Sequence, residues 1–535
     1  MQTKRILIVG GGSSGWMAAA YLNASLNRGG KRVADIALVE SPDVPRIGVG
    51  EATIPNINHL LAVTGIDERD FMRAVDGTFK QSIRYVNWLH GKSDYYHHPF
   101  SRYELKPIDF SAREWLQSDR SIPFMETVSA QPLICELGLA PKTTANQPFG
   151  TPLTYAFHMN ALKFADYLTQ HSVARGVTHH VEHVVDVEMR ANGYIAAVLT
   201  AAGRRIEAEL FIDCTGFAGL LIEKKLGVGF VDCSQWLLND RAITMHVDYE
   251  HHYPGYVKPY TTATALSAGW VWEIPLQNTR SLGYVHSSAF ISEENAEREL
   301  RAFEGAHAQK ITTRTVRFKV GRREKVWVGN CIAIGLAGGF IEPLESTGLY
   351  LSDLACVMLA EHFPYTDDYE AMAFRVNRIL ANRFYEILDF INMHYCLTKR
   401  DDSVYWREVR KAERINDRLK AKLDYWRLKP PTPSDFQDSF FPGQPDAPLS
   451  GGGWPGDHRA PIDTAGLWGY SSYEAILYGM DFLREECDRW YGAQRPKTLL
   501  FKEVLNAVQA ARQQLPPHDL WLQKVLGMPA YRKSV

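Results

Sequence analysis

The chain opens on an apolar run, Ile6-Leu7-Ile8-Val9, followed by Gly10-Gly11-Gly12-Ser13-Ser14-Gly15 and then by Trp16-Met17-Ala18-Ala19-Ala20-Tyr21-Leu22. The unbroken run predicts a buried strand, the glycines a tight turn, and the segment after them a helix. A second strand of the same kind, Ile36-Ala37-Leu38-Val39, ends at Glu40. Leu210-Phe211-Ile212-Asp213 runs into the small residues Cys214-Thr215-Gly216, and Val328 to Gly335 repeats that pattern. Ala373 to Leu380 and Arg407 to Ala412 mix polar and apolar positions as helices do. The pattern divides the chain into a body, residues 1–390, interrupted by a strand-rich insertion at about 177–321, and a mostly helical part, residues 391–535. Leu428 to Asp457, rich in Pro and Gly, predicts a mobile loop over the site.

A chain of 535 residues can bury more than one core. Its 59 Lys and Arg nearly balance 61 Asp and Glu, and no long run of like charge is present. A nucleic-acid partner is therefore not expected. Seven cysteines are scattered without a C-x-x-C, and no histidine stands at metal spacing, so the expectation is a reduced, cytoplasmic protein with no metal. The run after Arg5 is too short for a signal segment, and no eighteen consecutive residues are apolar, so no membrane span is expected.

The first strand, turn and helix carry a G-x-G-x-x-G fingerprint. Gly10 permits the turn, Gly12 lets a pyrophosphate approach the backbone, Gly15 allows close helix packing, and the helix start at Ser13 offers amide donors. Glu40 stands where a carboxylate accepts ribose hydroxyls, which favours FAD or NAD over NADP. Several strand ends separated by long insertions suit an α/β, glutathione-reductase-like FAD-binding fold, with an inserted β-sheet and a helical C-terminal substrate domain, better than a compact NAD domain.

Four further motifs stand out: Ile47-Gly48-Val49-Gly50-Glu51-Ala52-Thr53-Ile54-Pro55; Thr78-Phe79-Lys80; Trp270-x-Trp272-x-Ile274-Pro275; and Phe340 to Gly348, which contains Glu345-Ser346-Thr347-Gly348. Read alone, Lys80 is an exposed lysine, Glu342 and Glu345 are solvated acids, and the two tryptophans share one face of a core strand. Together with the glycine fingerprint they resemble the flavin-dependent halogenases, especially those acting on tryptophan and other indoles, over nearly the whole chain.

That resemblance implies FAD, reduced by a separate flavin reductase, which reacts with oxygen to a hydroperoxide that chloride or bromide attacks. Hypohalous acid then reaches Lys80 beside the organic substrate. It implies that Glu345 stabilises the cationic arenium intermediate and accepts its proton, and that the amides of Thr347 and Gly348 hold the halide. Val49, Gly50, Val184, Leu336 and Leu349 join the cofactor contacts, and a homodimer is an open assembly. An ammonium desolvated in an apolar wall loses preference for its charged form, which suits a reactive amine. Glu342 is the rival base, because helical or turn spacing puts both acids on similar faces.

For the substrate, His98-Pro99-Phe100 resembles the family's His-x-Phe, whose rings sandwich an indole, and Trp468 would form the opposite wall. From the residues alone a loop histidine and a core phenylalanine fit equally. The tyrosine pair that helps clasp free tryptophan in the family has no match in the glycine-rich stretch Ser450 to His458, and Asp463 and Ser472 stand near the places of the family's glutamate and asparagine. A simpler indole, or an indole carried in a larger molecule, therefore stands beside free tryptophan as substrate. The competing activity is an FAD-dependent aromatic hydroxylase, in which Lys80 is incidental.

Overall fold

The computed structural model describes residues 3–46, 48–106, 109–150, 152–249, 256–364, 366, 368–436, 467–483 and 499–529. Strand β1 (Lys4–Val9) turns through the glycines into helix α1 (Ser13–Leu26), and β2 (Ala34–Glu40) returns parallel to β1. The next strands are β3 (Gly50–Ala52), β4 (Thr78–Lys80), β5 (Ser82–Val86), β6 (Tyr95–Pro99), β7 (Ala156–Asn160), β8 (Thr178–Val181) and β9 (Leu210–Asp213). Then follow β10 (Arg241–Asp248), β11 (Thr261–Ala265), β12 (Gly269–Pro275), β13 (Thr279–His286), β14 (Arg314–Arg317), β15 (Trp327–Val328) and β16 (Cys331–Ala333).

Three sheets position the site. The first has the order β15-β16-β9-β1-β2-β8 and is parallel except for the β15–β16 hairpin. Its central strands are buried on both faces, as their continuous apolar runs require. The second, β14-β10-β13-β12-β11-β5-β6, is antiparallel except where β5 meets β11. A small sheet, β3-β7-β4, lies between them in the chain path, with Lys80 opposite Ala156. Residue Gln81 alone separates β4 from β5, so Lys80 sits where the chain passes from the small sheet into the seven-stranded one.

Within 177–321, β8 and β9 pair into the parallel sheet, Val184–Met189, Ile195–Thr200 and Arg205–Glu207 between them form a three-stranded sheet of their own, and β5 and β6 from the N-terminal part complete the seven-stranded one. The sheets are assembled by pairing rather than by order along the chain.

Helix α2 (Gly348–Glu361) packs on α1, and α3 (Glu370–Cys396) follows it. The division at 390/391 falls inside α3, which runs unbroken. One apolar core holds Tyr85 and Trp270 from the sheets with Phe390, Trp406 and Trp468 from the C-terminal part, so no break in packing marks a boundary there. Beyond it come α4 (Val404–Glu408), α5 (Asp417–Trp426) and α6 (Tyr470–Gly479). The helix expected over 407–412 ends at Glu408, whose carboxylate accepts from Arg414 at 2.8 and 2.9 Å across the following turn. Of the proline-rich loop, only 428–436 falls among the described residues; the remainder to 457 and the stretch 450–463 lie outside them.

Candidate active site

The parallel sheet ends in a cavity of about 500 Å³. Gly10, Gly12, Ser13, Glu40, Val49, Gly50, Val184, Leu336 and Leu349 all line it. Gly10 has φ +110°, where a Cβ would also fall 2.3 Å from the Cys214 carbonyl oxygen. A Cβ on Gly12 would meet nothing within 4 Å, so the backbone there is open to a ligand. Gly15 does not line the cavity. A Cβ there would lie 2.0 Å from the Gly10 carbonyl oxygen, the close packing of turn and helix that the fingerprint expects of this position. Glu40 accepts from Arg46 Nη2 at 2.9 and 3.0 Å and from His179 at 2.9 Å, which fixes the carboxylate at the cavity wall.

Trp270 and Trp272 of β12 line the same cavity, their ring centroids 6.3 Å apart. Next to them is the turn Pro343–Glu345, which leads through Ser346 and Thr347 into α2. Ser346 sits at φ +59°, a left-handed conformation unusual for a residue with a Cβ. Gly348, at the helix start, lines the cavity, and a Cβ there would meet nothing within 4 Å. Thr347 is buried, and its hydroxyl has no hydrogen-bond partner among the described residues. The positive end of a 14-residue helix together with an unpaired buried hydroxyl is a setting that accepts an anion.

On the other side of Ser346 is Lys80. Its side chain is fully buried, and Nζ donates to Ser346 Oγ at 2.8 Å and to the Thr53 carbonyl at 2.9 Å. The Phe100 ring centre lies 5.4 Å away. Burial pushes the ammonium down to about 7, against the upward pull of Glu345 and Glu51. Ser346 both lines the cavity and accepts from the amine, so one residue links the cavity wall to Lys80.

Glu345 is buried and encircled. Tyr85 OH donates to Oε1 at 2.5 Å, His98 Nδ1 lies 3.0 Å from Oε2 and 3.2 Å from Oε1, and His394 Nε2 lies 3.0 Å from Oε1. Burial alone would raise this carboxyl. The charge and hydrogen bonds of His98 and the close approach of His394 outweigh it and hold the group well below the usual carboxylate range.

Glu342 does not share this face. It is extended, with φ −53° and ψ 152°, ahead of the one-turn helix, and its carboxylate turns to a different set of donors. There it accepts from Asn239 Nδ2 at 2.9 Å, from Trp270 Nε1 at 3.2 Å and from Tyr395 OH. Burial, offset in part by these three donors, pushes it up to about 7. The expected common face fails because the helical turn begins after Glu342.

His98 lies on β6, opposite Ile83 of β5, and is buried rather than on a loop. Its ring centre is 5.7 Å from that of Phe390, which stacks on Trp468 at 4.1 Å and 16°. The Trp468 amide is 3.3 Å from Glu386 of α3. Phe390, His394 and Tyr85 escaped the sequence reading, although buried polar residues recurring along α3, Asn382, Glu386, Asp389, Asn392 and His394, are a signal that this helix serves more than packing.

A cavity lined by a dinucleotide-type glycine turn, with one lining serine bonded to a buried amine and next in sequence to a buried carboxylate, is the setting of a dinucleotide-binding α/β protein. The sequence model described as tryptophan halogenase matches residues 5–496. Tryptophan 7-halogenase RebH of Lentzea aerocolonigenes is 34% identical over 532 residues, 96% of each chain. A solved tryptophan halogenase from Shewanella frigidimarina NCIMB 400 is 33% identical, with TM-score 0.86 over 99% of both chains. BrvH, a flavin-dependent halogenase from Brevundimonas sp. BAL3, gives 29% identity and TM-score 0.78 over 98% of this chain and 99% of that one. The chain belongs to the flavin-dependent tryptophan halogenase family and is a halogenating oxidoreductase, with a mixed α/β fold like theirs. Among the described residues no helix is long and apolar enough to cross a membrane.

Proposed function

We propose that this protein halogenates an indole-type aromatic ring, using FAD reduced by a separate flavin reductase, oxygen, and chloride or bromide. The cavity fits the flavin: Gly12 leaves its backbone open, Glu40 is fixed at the wall, and Val49, Gly50, Val184, Leu336 and Leu349 provide apolar lining, as a glutathione-reductase-like FAD site would. When bound, the reduced flavin with oxygen supplies the oxidising power that turns halide into an electrophile.

The protein's own part is to hold and direct. Amides at the start of α2 and the Thr347 hydroxyl hold the halide beside the flavin site. Lys80, reached past Ser346, takes the electrophilic halogen or hydrogen-bonds it, and burial keeps a share of its amine uncharged at neutral pH. His98, Phe100 and Trp468 hold the flat ring, with Phe390 stacked behind Trp468. Glu345, kept ionised, stabilises the positive charge that develops on the ring.

The observation that carries this reading is the amine of Lys80, buried, bonded to a residue that lines the cofactor cavity, and 5.4 Å from the Phe100 ring. RebH carries the name of a tryptophan 7-halogenase, so tryptophan and simpler indoles are the substrates to try first. Incubation with reduced FAD, oxygen, bromide and an indole panel should yield brominated product by mass spectrometry, and Lys80→Ala should lose it while still binding flavin. A hydroxylated product without halogen, or halogenation retained by Lys80→Ala, would overturn the proposal.

A further inference from the structure

Strand β4, which carries Lys80, is the three-residue edge of the small sheet and pairs with β7 alone. Two buried histidines hold it as well. Thr78, on the same face of β4 as Lys80, has its Oγ1 2.6 Å from the Pro275 carbonyl oxygen and 2.9 Å from His158 Nδ1. A carbonyl only accepts, so the Thr78 hydrogen goes to Pro275, and Nδ1 carries a hydrogen of its own that it donates to Thr78. His158 Nε2 lies 2.9 Å from Thr261 Oγ1. Burial, and then the charge of Lys80, push this imidazole well below its ordinary range, so the ring is neutral and Nε2 accepts from Thr261. His518 acts from the other side: its Nε2 accepts from the Phe79 amide at 3.2 Å, and its Nδ1 lies 2.8 Å from the Val257 carbonyl oxygen. Burial pushes it down to about 4.

The row from Thr261 through His158 and Thr78 to Pro275 has every donor pointing one way and ends on a carbonyl, which has no proton to pass on. Such a row fixes positions and relays nothing. It ties together three elements around the amine: Thr261 of β11 lines the cofactor cavity, Thr78 stands next but one to Lys80, and Pro275 closes the strand of Trp270 and Trp272. His158 itself lies on β7, opposite Thr78 on one side and Ala52 on the other. Its neighbour Phe157 grips Thr53, whose hydroxyl donates to the Phe157 carbonyl at 2.9 Å and accepts from the Phe157 amide at 3.0 Å. The Thr53 carbonyl in turn accepts from Lys80 Nζ, so both the root and the tip of Lys80 are referred to β7.

We propose that His158 is a positioning residue for halogen transfer: a neutral imidazole with its hydrogen on Nδ1, it ties the strand of Lys80 to the wall of the cofactor cavity and so sets where the amine meets the incoming electrophile. This deepens the halogenase reading and rests on it. A shift of about 1 Å in a reacting group costs on the order of 10²-fold in rate. Electrophile that misses the amine leaves the protein as hypohalous acid. Loss of the brace therefore separates making the oxidant, which needs flavin and halide, from handing it to the ring. The charged and titratable groups that bear on His158 are Lys80 on β4 and His518 at the start of the helix His518–Leu526, and both keep its ring uncharged.

The test measures halogenated indole, and hypohalous acid trapped by an added thioether, per reduced FAD consumed in wild type, His158→Gln and His158→Phe. His158→Phe keeps a flat ring but no polar atom, and its halogenated product per flavin should fall by about 10²-fold, with a matching rise in trapped oxidant and with flavin binding and flavin oxidation near wild type. His158→Gln, uncharged and able to donate and accept, should restore most of the coupling. A merely structural role would lower the amount of active protein and leave product per flavin unchanged; that result from His158→Phe overturns the assignment. Nitrogen NMR of the histidine rings in the wild type supplies a second reading that needs no turnover, with the His158 signal identified by its loss in His158→Gln. It should show hydrogen on Nδ1 and no titration between about pH 5 and 8, and a hydrogen on Nε2 alone or a titrating ring would overturn the proposal even if His158→Phe does not fold. Absence of both halogenated product and trapped hypohalous acid from wild type would sink the halogenase reading itself, which is a distinguishable result.

Discussion

Replacing Lys80 by Met should stabilise the protein while destroying halogenation, and the gain should depend on pH. Burial lowers the Lys80 ammonium from 10.5 to about 7. The unfolded chain therefore binds this proton more tightly than the folded one, so stability is reduced at low pH and recovers as pH climbs from about 7 towards 10.5. Linkage at 1.36 kcal/mol per pKa unit makes the cost about 4 kcal/mol at pH 7 and about 2 kcal/mol at pH 9. The wild type should thus gain about 2 kcal/mol on Lys80→Met between pH 7 and 9. Lost hydrogen bonds to Thr53 and Ser346 lower the mutant's absolute advantage without altering this slope. Glu51, held at about 7 in part by Lys80, rises further in the mutant and shifts the difference in the same direction. Urea denaturation followed by tryptophan fluorescence at both pH values measures it, and parallel stability curves for the two proteins would refute the buried, near-neutral amine.

Glu342→Gln should cost about 1–3 kcal/mol of stability, because a Gln amide set against Asn239 Nδ2 leaves buried donors facing one another, while the pH profile of halogenation stays in place. Gly12→Val should leave thermal stability near wild type and abolish flavin binding, whereas Gly15→Val should unfold the first helix against Gly10; calorimetry and flavin fluorescence separate the two. Thr347→Val should fold normally, since its hydroxyl has no partner to lose, but raise the bromide concentration for half-maximal rate about tenfold or more, the value of a hydrogen bond to an ion; an unchanged requirement would remove the hydroxyl from the halide site.

The first strand, turn, helix and Glu40 were legible because their determinants are local: an apolar run, glycines at fixed spacing, an acid at a strand end. Lys80 and Glu345 were legible only through motifs, since nothing near them in sequence announces that they are buried. The direction of Glu342 was not readable, because it depends on backbone angles at one residue before a short helix and on a left-handed Ser346 after it. The surroundings of Glu345 were hidden for a different reason. His98 is 247 residues away from it and Tyr85 is 260, so tertiary packing and not local sequence brings them together. The distribution of the strands of 177–321 among several sheets was hidden likewise, because strand order in a sheet need not follow strand order in the chain.

Helix α3 works as a ruler. At its start Asn377 clamps the β15–β16 hairpin through bonds of 2.8 and 2.9 Å, and farther on Glu386, Phe390 and His394, four residues apart, tether Trp468, stack on it and reach Glu345. One residue inserted between 378 and 385 would turn that second group by about 100° relative to the first. Length is therefore the least negotiable property of this helix, and variation among its relatives should fall on which side chains it carries rather than on how many.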